Sequence, residues 1–449
     1  MQAPQVSPQA IEAPSRETMR RVFIKLLPLL CIVYVLCFLD RTNIGMAKER
    51  LELDVGISAA AYGLGAGLFF LAYASLEIPS NLIIHKVGAR AWITRIMLTW
   101  GLISMGMAFV QGELSFYILR ILLGAAEAGL YPGILYFLTL WFPHQDRARA
   151  QALFLLGAPI AVIFGAPLSG ALMQMDGVGG LHGWQWMFLI EGLPTVLLAF
   201  YVWKVLPDRP TKAKWLDPQT ARSLEDFVAR QNEEGASSSG NHNFKAALKD
   251  RQILIVAALY FTNQISLYAV AYFLPSIMAK AGDFTSFQIG LLVSVPWIFA
   301  AAGMLLVARW AKQHNSDRLW IITATLGMAI GLSVAAAGPP WIAFAGFCLM
   351  GLCMLAPQPL LFTHVSKRLS GVTVAAGLAF INTLGLLGGF FGPNAMGLAE
   401  QTTGATTAGL WLLAGLCVVG VVLGALLTKS SAGKDEFRTD PQLQKDARP

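Results

Sequence analysis

Six charged side chains fall deep inside apolar stretches of this chain: Asp40, Arg41, Glu77, Arg120, Glu127 and Glu191. Two of them, Arg120 and Glu127, lie in "LRILLGAAEAGLYPGILYFLTLWFP" (119–143). Seven residues apart on a helix, they share nearly one face and stand about 10 Å apart along the axis. That is long for a direct ion pair and short enough for one cavity to hold both. Arginine stays charged and offers a planar fork that matches a carboxylate. Acids beside it can exchange protons, since burial raises a carboxyl pKa and a neighbouring arginine lowers it. One fixed cation with protonatable acids is what coupling an organic anion to protons requires. A purely structural Arg120–Glu127 pair is the competing reading.

The elements that must carry these charges are membrane helices. The chain is 55% hydrophobic and 13% charged, with a mean hydropathy of +0.58, against about 25% charged in soluble domains. Runs near the ~20 residues needed to cross a ~30 Å hydrocarbon core recur twelve times. They fall at 23–44, 59–82, 92–110, 115–138, 151–173 and 185–206, then at 252–274, 286–308, 319–337, 341–363, 373–396 and 408–428. The chain is therefore expected to be an all-α membrane protein. A charge near the bilayer centre costs roughly 2.5–3.5 kcal/mol on insertion scales. Three such charges approach a domain's whole stability, which is about 5–15 kcal/mol, so each must line water, find a partner or sit at an interface. Glu191 follows Trp184 and Trp186, which read as an outer aromatic belt, so it is expected to be an interfacial, structural acid. Glu77, just before Pro79, is expected to pack against the basic loop "HKVGAR". Asp40, Arg120 and Glu127 fit neither description.

Basic residues set the orientation. The termini and alternate loops hold 28 of the 33 Lys and Arg, the opposite loops only Lys48, Arg50 and Lys280. With an even number of spans, both termini are expected to be cytoplasmic. The net charge of +7 follows from this bias, so no nucleic-acid partner is expected. All five cysteines fall in spans and read as small buried hydrophobes. No metal site or cofactor is expected, and no nucleophile–base pair or phosphate loop points to an enzyme.

The chain divides in the middle. Residues 207–251 form the one long hydrophilic stretch between spans, with a Ser/Gly patch at 235–240, and read as a solvated cytoplasmic linker. The expected organisation is a cytoplasmic tail at 1–22, a six-helix bundle at 23–206, the linker at 207–251, a second bundle at 252–428 and a tail at 429–449. "FGAPLSGAL" (164–172) resembles "FFGPNAMGL" (390–398), one motif in span five and the other in span eleven. Paired Gly/Pro-interrupted spans point to an alternating-access carrier with its site between repeats, although small residues also simply let helices pack closely. The second half carries no deep charge. Its polar candidates are Asn263, Gln264, Gln358, Asn382 and Asn394, with Asn263 and Gln264 open to a helix-packing role instead.

Several stretches together carry a resemblance. "FLDRTNIGMA" (38–47), "YASLEIPSNLIIHKVGARAWI" (73–93), "RILLGAAEAGLYPG" (120–133), "GWQWMFLIEGLP" (183–194) and "LSGVTVAAGLAFINTLGLLGGFFGP" (369–393) resemble the anion:cation symporter family of the major facilitator superfamily. Over about residues 20–428 the chain is most similar to bacterial permeases for tartrate, phthalate and 4-hydroxyphenylacetate. The resemblance implies twelve transmembrane helices in two pseudo-symmetric six-helix bundles, the major facilitator fold, in a bacterial inner membrane.

Residue by residue, Arg120 matches the family's substrate-carboxylate arginine and Glu127 its proton-linked acid. Asp40 matches a second proton-coupling site, with Arg41 beside it in the substrate site. Tyr73 matches a cavity hydroxyl and Asn382 a polar substrate contact; Asn263 and Gln264 join the substrate-binding candidates. Glu77, Gly88 and Arg90 are the gating candidates. In the superfamily's loop motif G-x-x-x-D-R-x-G-R-R, Asn81, His85 and Ala89 replace the first Gly, the Asp and one Arg. Ala158 stands near the place of a glutamine that some sugar-acid carriers use. The expected function is proton-coupled uptake of a small organic carboxylate, either an aromatic acid or a dicarboxylate, by a monomer whose partners are the anion, protons and membrane lipid. The alternatives are a sugar-acid proton symporter, a proton-driven exporter and a non-transporting nutrient sensor.

Overall fold

The computed structural model describes residues 13–237, 250–314, 316–369 and 372–428. Within them all regular secondary structure is helical, which lets each segment satisfy its own backbone N–H and C=O groups in lipid. Spans one to six are Arg16–Val55, Ala59–Val87, Ala89–Phe109, Glu113–Trp141, His144–Met175 and Gly183–Val205. Spans seven to twelve are Arg251–Ala279, Ser286–Ala311, Asp317–Ala337, Pro340–Arg368, Val372–Thr403 and Thr407–Ala425. Eleven of these are long and apolar enough to cross a membrane. The other, Val372–Thr403, has 32 residues, about 48 Å at the helical rise. The expected twelve helices in two six-helix halves are present.

Span one runs well past its expected end. It bends at Asn43 and continues as Ile44–Val55, stopping where Gly56 takes a left-handed conformation at φ 74°. The two halves meet chiefly through spans two and eleven and through spans five and eight. Both contacts lie on the side opposite the termini, and both use the small-residue motifs of spans five and eleven. A Cβ on Gly67 would stand 2.8 Å from the Phe390 carbonyl oxygen, and one on Gly290 2.8 Å from Pro167 Cα. The paired Gly/Pro motifs are therefore the seam of the closed side.

The interruptions that do line the centre are in spans four and ten, the fourth helix of each half. Span four stops at Glu127, passes through Ala128 (ψ 130°) and left-handed Gly129 (φ 88°), and resumes at Leu130. Pro132 lacks an N–H, so Ala128 has no helical donor; the Ser80 hydroxyl donates to its carbonyl at 2.7 Å and accepts from Trp92 Nε1 at 2.9 Å. Span ten stops at Met354 and resumes at Pro357, and Asn263 Nδ2 donates to the Met354 carbonyl at 3.0 Å. One side chain from a neighbouring helix thus satisfies each break.

Part of the 207–251 stretch is docked, not solvated. Pro218–Ser237 is helical, with Ala221, Leu224 and Val228 buried. Trp215 stacks on Trp141 at 5.8 Å, and Asn232 donates to the Thr139 carbonyl and accepts from Arg147. This helix is anchored to the first half at the junction of spans four and five. Residues 238–240 of the Ser/Gly patch lie outside the described residues. Asp250, which caps span seven, joins it to the end of span ten by accepting from Arg368 at 3.0 Å. Burial alone raises the Asp250 carboxyl pKa, but the Gln252 amide and Arg368 outweigh it and hold it below its ordinary value.

Removing either break-capping donor leaves a buried carbonyl unsatisfied. Ser80→Ala and Asn263→Ala should each cost about 1–3 kcal/mol, read as a lower melting temperature of the purified protein. Ser75→Ala, whose hydroxyl bonds only within its own helix, should leave it unchanged.

Candidate functional site

Between the halves, on the termini side of the seam, lies a cavity with about 870 Å³ of atom-free space. Spans one, two, four and five supply Tyr34, Phe38, Arg41, Tyr73, Tyr131 and Ala158, and spans seven, ten and eleven supply Tyr260, Gln264, Tyr268, Gln358 and Asn382. Its walls are mostly apolar with a few convergent polar groups, as small-molecule sites are. Among the described lining residues, Arg41 alone is charged.

Arg41 is 6% exposed, and its guanidinium is paired with Glu127, which is fully buried. A second guanidinium nitrogen donates to the Tyr268 hydroxyl at 3.4 Å, while Phe38, Phe69 and Tyr73 surround the group with ring centroids 5.2–5.6 Å away. Glu127 Oε1 also accepts from the Cys37 thiol at 3.0 Å, whereas Glu127 Oε2 and Arg41 Nε have no partner. The break after Glu127 ends the helix where this carboxylate must stand. The pair is thus incompletely satisfied and sits at the cavity wall.

Arg120 is placed elsewhere. It is 1% exposed, and its guanidinium donates to the carbonyls of Gly65 and Ala66, both at 3.3 Å, over the Phe69 ring. It is not among the lining residues. The expectation that Arg120 and Glu127 share one cavity is corrected: the cation that meets Glu127 is Arg41, from another helix.

Asp40 adjoins Arg41 in sequence and faces away from the cavity, about 100° round the helix. Buried between spans one, three and six, it accepts from Trp100 Nε1 at 2.7 Å, Ser104 at 2.8 Å and Thr195 at 3.2 Å. Glu191 is not interfacial. It is 2% exposed and accepts from Ser169 at 2.6 Å and Asn43 at 3.0 Å. Trp184 is equally buried and donates to Asp54, so it forms no outer belt. Glu77 does not reach the basic loop either; its carboxylate is buried and accepts from Asn382 Nδ2 at 3.2 Å, across the two halves.

Tyr73, Gln264 and Asn382 line the cavity as polar candidates, whereas Asn263 is turned to the span-ten break. Gly88 and Arg90 form a different joint. The Arg90 backbone N–H donates to Asp208 at 2.8 Å, and its side chain lies 3.8 Å from the same carboxylate. The loop's missing acid is therefore supplied from beyond span six, while His85 rests on Tyr136 at 3.9 Å. The sequence reading found Tyr73 and missed the span-seven tyrosines. Tyr260 and Tyr268, which line the cavity, recur at helical spacing with Tyr272 on span seven, and that periodicity was the available signal.

Two six-helix halves closing around a cavity with one guanidinium are the architecture of a membrane transporter. The chain belongs to the Major Facilitator Superfamily, whose family model matches residues 30–393 and 256–447. It is 42% identical to a putative tartrate transporter of Agrobacterium vitis, over 94% of both chains. A quinolone resistance transporter of Acinetobacter baumannii is 40% identical over 91% of this chain and 94% of its own. The inner membrane transport protein RhmT of Escherichia coli K12 is 37% identical over 89% and 92%. Among solved structures, a D-xylose-proton symporter superposes with a TM-score of 0.74 at 13% identity, covering 92% of this chain and 99% of its own. An inward-facing bacterial homolog of the human lysosomal transporter Spinster gives 0.73 at 16%, covering 91% and 97%. At those identities the likeness is one of fold.

Arg41→Met alone should destabilise the protein by about 3–5 kcal/mol, because it strands the Glu127 carboxylate. Arg41→Met combined with Glu127→Leu should recover most of that loss in a thermal melt. An additive double variant would mean the pair is uncoupled.

Proposed function

We propose that this transporter takes up a small organic carboxylate together with protons, by alternating access, in a bacterial inner membrane with both termini cytoplasmic. The observation that carries the reading is the Arg41–Glu127 pair at the cavity wall. A substrate carboxylate and Glu127 compete for one guanidinium. Neither two anions on one cation nor a cation left alone is cheap at this depth. Substrate therefore binds when Glu127 carries a proton, and Glu127 re-pairs with Arg41 when the substrate and the proton leave. The clamp role that the resemblance gave to Arg120 passes to Arg41, while Arg120 holds span four against the Gly65 and Ala66 carbonyls. Tyr73, Gln264 and Asn382 contact the rest of the substrate.

Asp40 is the second proton site in this scheme. Three neutral donors surround it, and none of the cations paired in the described structure reaches it. Energetics require such sites. A cell interior at −100 mV opposes inward movement of each negative charge by about 2.3 kcal/mol. One proton per carboxylate cancels that cost, and a second drives accumulation. The basic residues on the termini side support the orientation.

The test is uptake of labelled carboxylates by proteoliposomes under an imposed pH gradient. Asp40→Asn and Glu127→Gln mimic the protonated acids permanently. Each should abolish proton-driven accumulation and retain at least partial exchange of internal for external substrate. Full accumulation by both variants would sink the coupling scheme.

A further inference from the structure

Charge arithmetic in the cavity narrows the substrate, given the carboxylate-transport reading above. Once Glu127 takes a proton, the described lining residues offer one positive charge, on Arg41, and no other lysine, arginine or histidine. Arg120 is not among the lining residues and is directed instead at the Gly65 and Ala66 carbonyls. A second carboxylate on the same molecule would be buried without a cation, which is strongly disfavoured. The remaining walls are rings and hydroxyls. Tyr34, Tyr131 and Tyr260 line the space with no hydrogen-bond partner for their hydroxyls among the described residues, and the Gln264 amide oxygen is buried and unpartnered. Such groups leave a flat ring well accommodated and a ring hydroxyl or amine well bonded.

We infer that the cavity selects aromatic monocarboxylates bearing a hydroxyl or amino substituent, with the carboxylate on Arg41 and the substituent at Gln264 and the tyrosines, and discriminates against dicarboxylates. Calorimetric binding to the purified protein, with 4-hydroxybenzoate, benzoate, phthalate and tartrate as probes, tests it. 4-Hydroxybenzoate should bind at least about tenfold more tightly than phthalate or tartrate, and about tenfold more tightly than benzoate, the ratio that one good hydrogen bond supplies. Gln264→Leu should bring 4-hydroxybenzoate and benzoate much closer together. If phthalate or tartrate binds as tightly as 4-hydroxybenzoate, and Arg41→Lys weakens that binding, the substrate class is wrong and the carboxylate clamp stands. If Arg41→Lys changes the binding of none of the four, or none binds, the transport reading falls with it.

A different cluster, on the side opposite the termini, carries an independent inference. Lys48, on the extension of span one, is 1% exposed and lies 2.9 Å from Glu400 on span eleven. Glu400 also accepts from Lys280 of span seven at 2.7 Å, and Lys48 lies 3.9 Å from Glu52. Lys48 therefore bridges the halves, while each member of the bridge has a partner within its own half. We propose that Lys48–Glu400 is the latch of the closed side. When the halves part there, Glu400 keeps Lys280 and Lys48 keeps Glu52, so the latch opens without stranding a charge. Hydrogen exchange of the far-side segments 56–66 and 394–404 reads its state without reference to transport. Lys48→Met, which keeps the contact with the Tyr62 and Phe273 rings, and Glu400→Gln should each speed exchange there by about tenfold. Lys48→Arg should behave as wild type. Unchanged exchange in both charge-removing variants would overturn the latch, as would equal acceleration by Lys48→Arg.

Discussion

A guanidinium and a carboxylate buried together between two helix bundles constrain almost everything around them. In a low-dielectric interior neither Arg41 nor Glu127 can be left alone, yet their pairing leaves Arg41 Nε and Glu127 Oε2 unmatched. The surroundings are arranged to hold the pair in that half-satisfied state. Aromatic faces surround the arginine, a thiol and not a second cation supports the carboxylate, and the helix bearing Glu127 ends at that residue. A fully satisfied pair would be inert, and an isolated charge would be intolerable. The arrangement lies between the two.

The broken helices follow from the same constraint. Span four has to deliver Glu127 to the centre and then turn aside to leave room for Tyr131 at the cavity wall. Pro132 removes one backbone donor, Gly129 supplies the turn, and Ser80 satisfies the freed carbonyl. Span ten repeats the solution with Pro357 and Asn263. Close glycine packing at the spans two–eleven and five–eight seams holds the opposite side together.

The twelve helices, the two halves and the six charges deep in the first half were legible in the sequence, because hydropathy and the cost of charge in lipid are local properties; buried Lys48 and Glu400 were not. Partnerships were not. Spacing within span four suggested Arg120 as the neighbour of Glu127, but the true neighbour lies 86 positions away and reaches it only through the packing of span one against span four. Asp40 and Arg41 are adjacent in sequence, and the ~100° step of the helix turns Arg41 to the cavity and Asp40 away from it. Trp184 and Trp186 looked like a membrane-surface belt, yet Trp184 is interior and its neighbour Glu191 is tied to Asn43 and Ser169. The break in span four was legible in principle: in "AGLYPG" the proline denies Ala128 its donor, and a glycine stands ready to turn.

The two halves contribute unlike things to the cavity. The first half brings the charge, on Arg41 paired with Glu127; the second brings Tyr260, Gln264, Tyr268, Gln358 and Asn382, all neutral. A change at one of the neutral positions reshapes the walls without altering the charge balance at Arg41. Descendants of such a chain can therefore drift in what they carry while keeping how they carry it. On the proposed mechanism, the wall of the second half is the surface free to change, and the ion pair of the first half is the part that must stay.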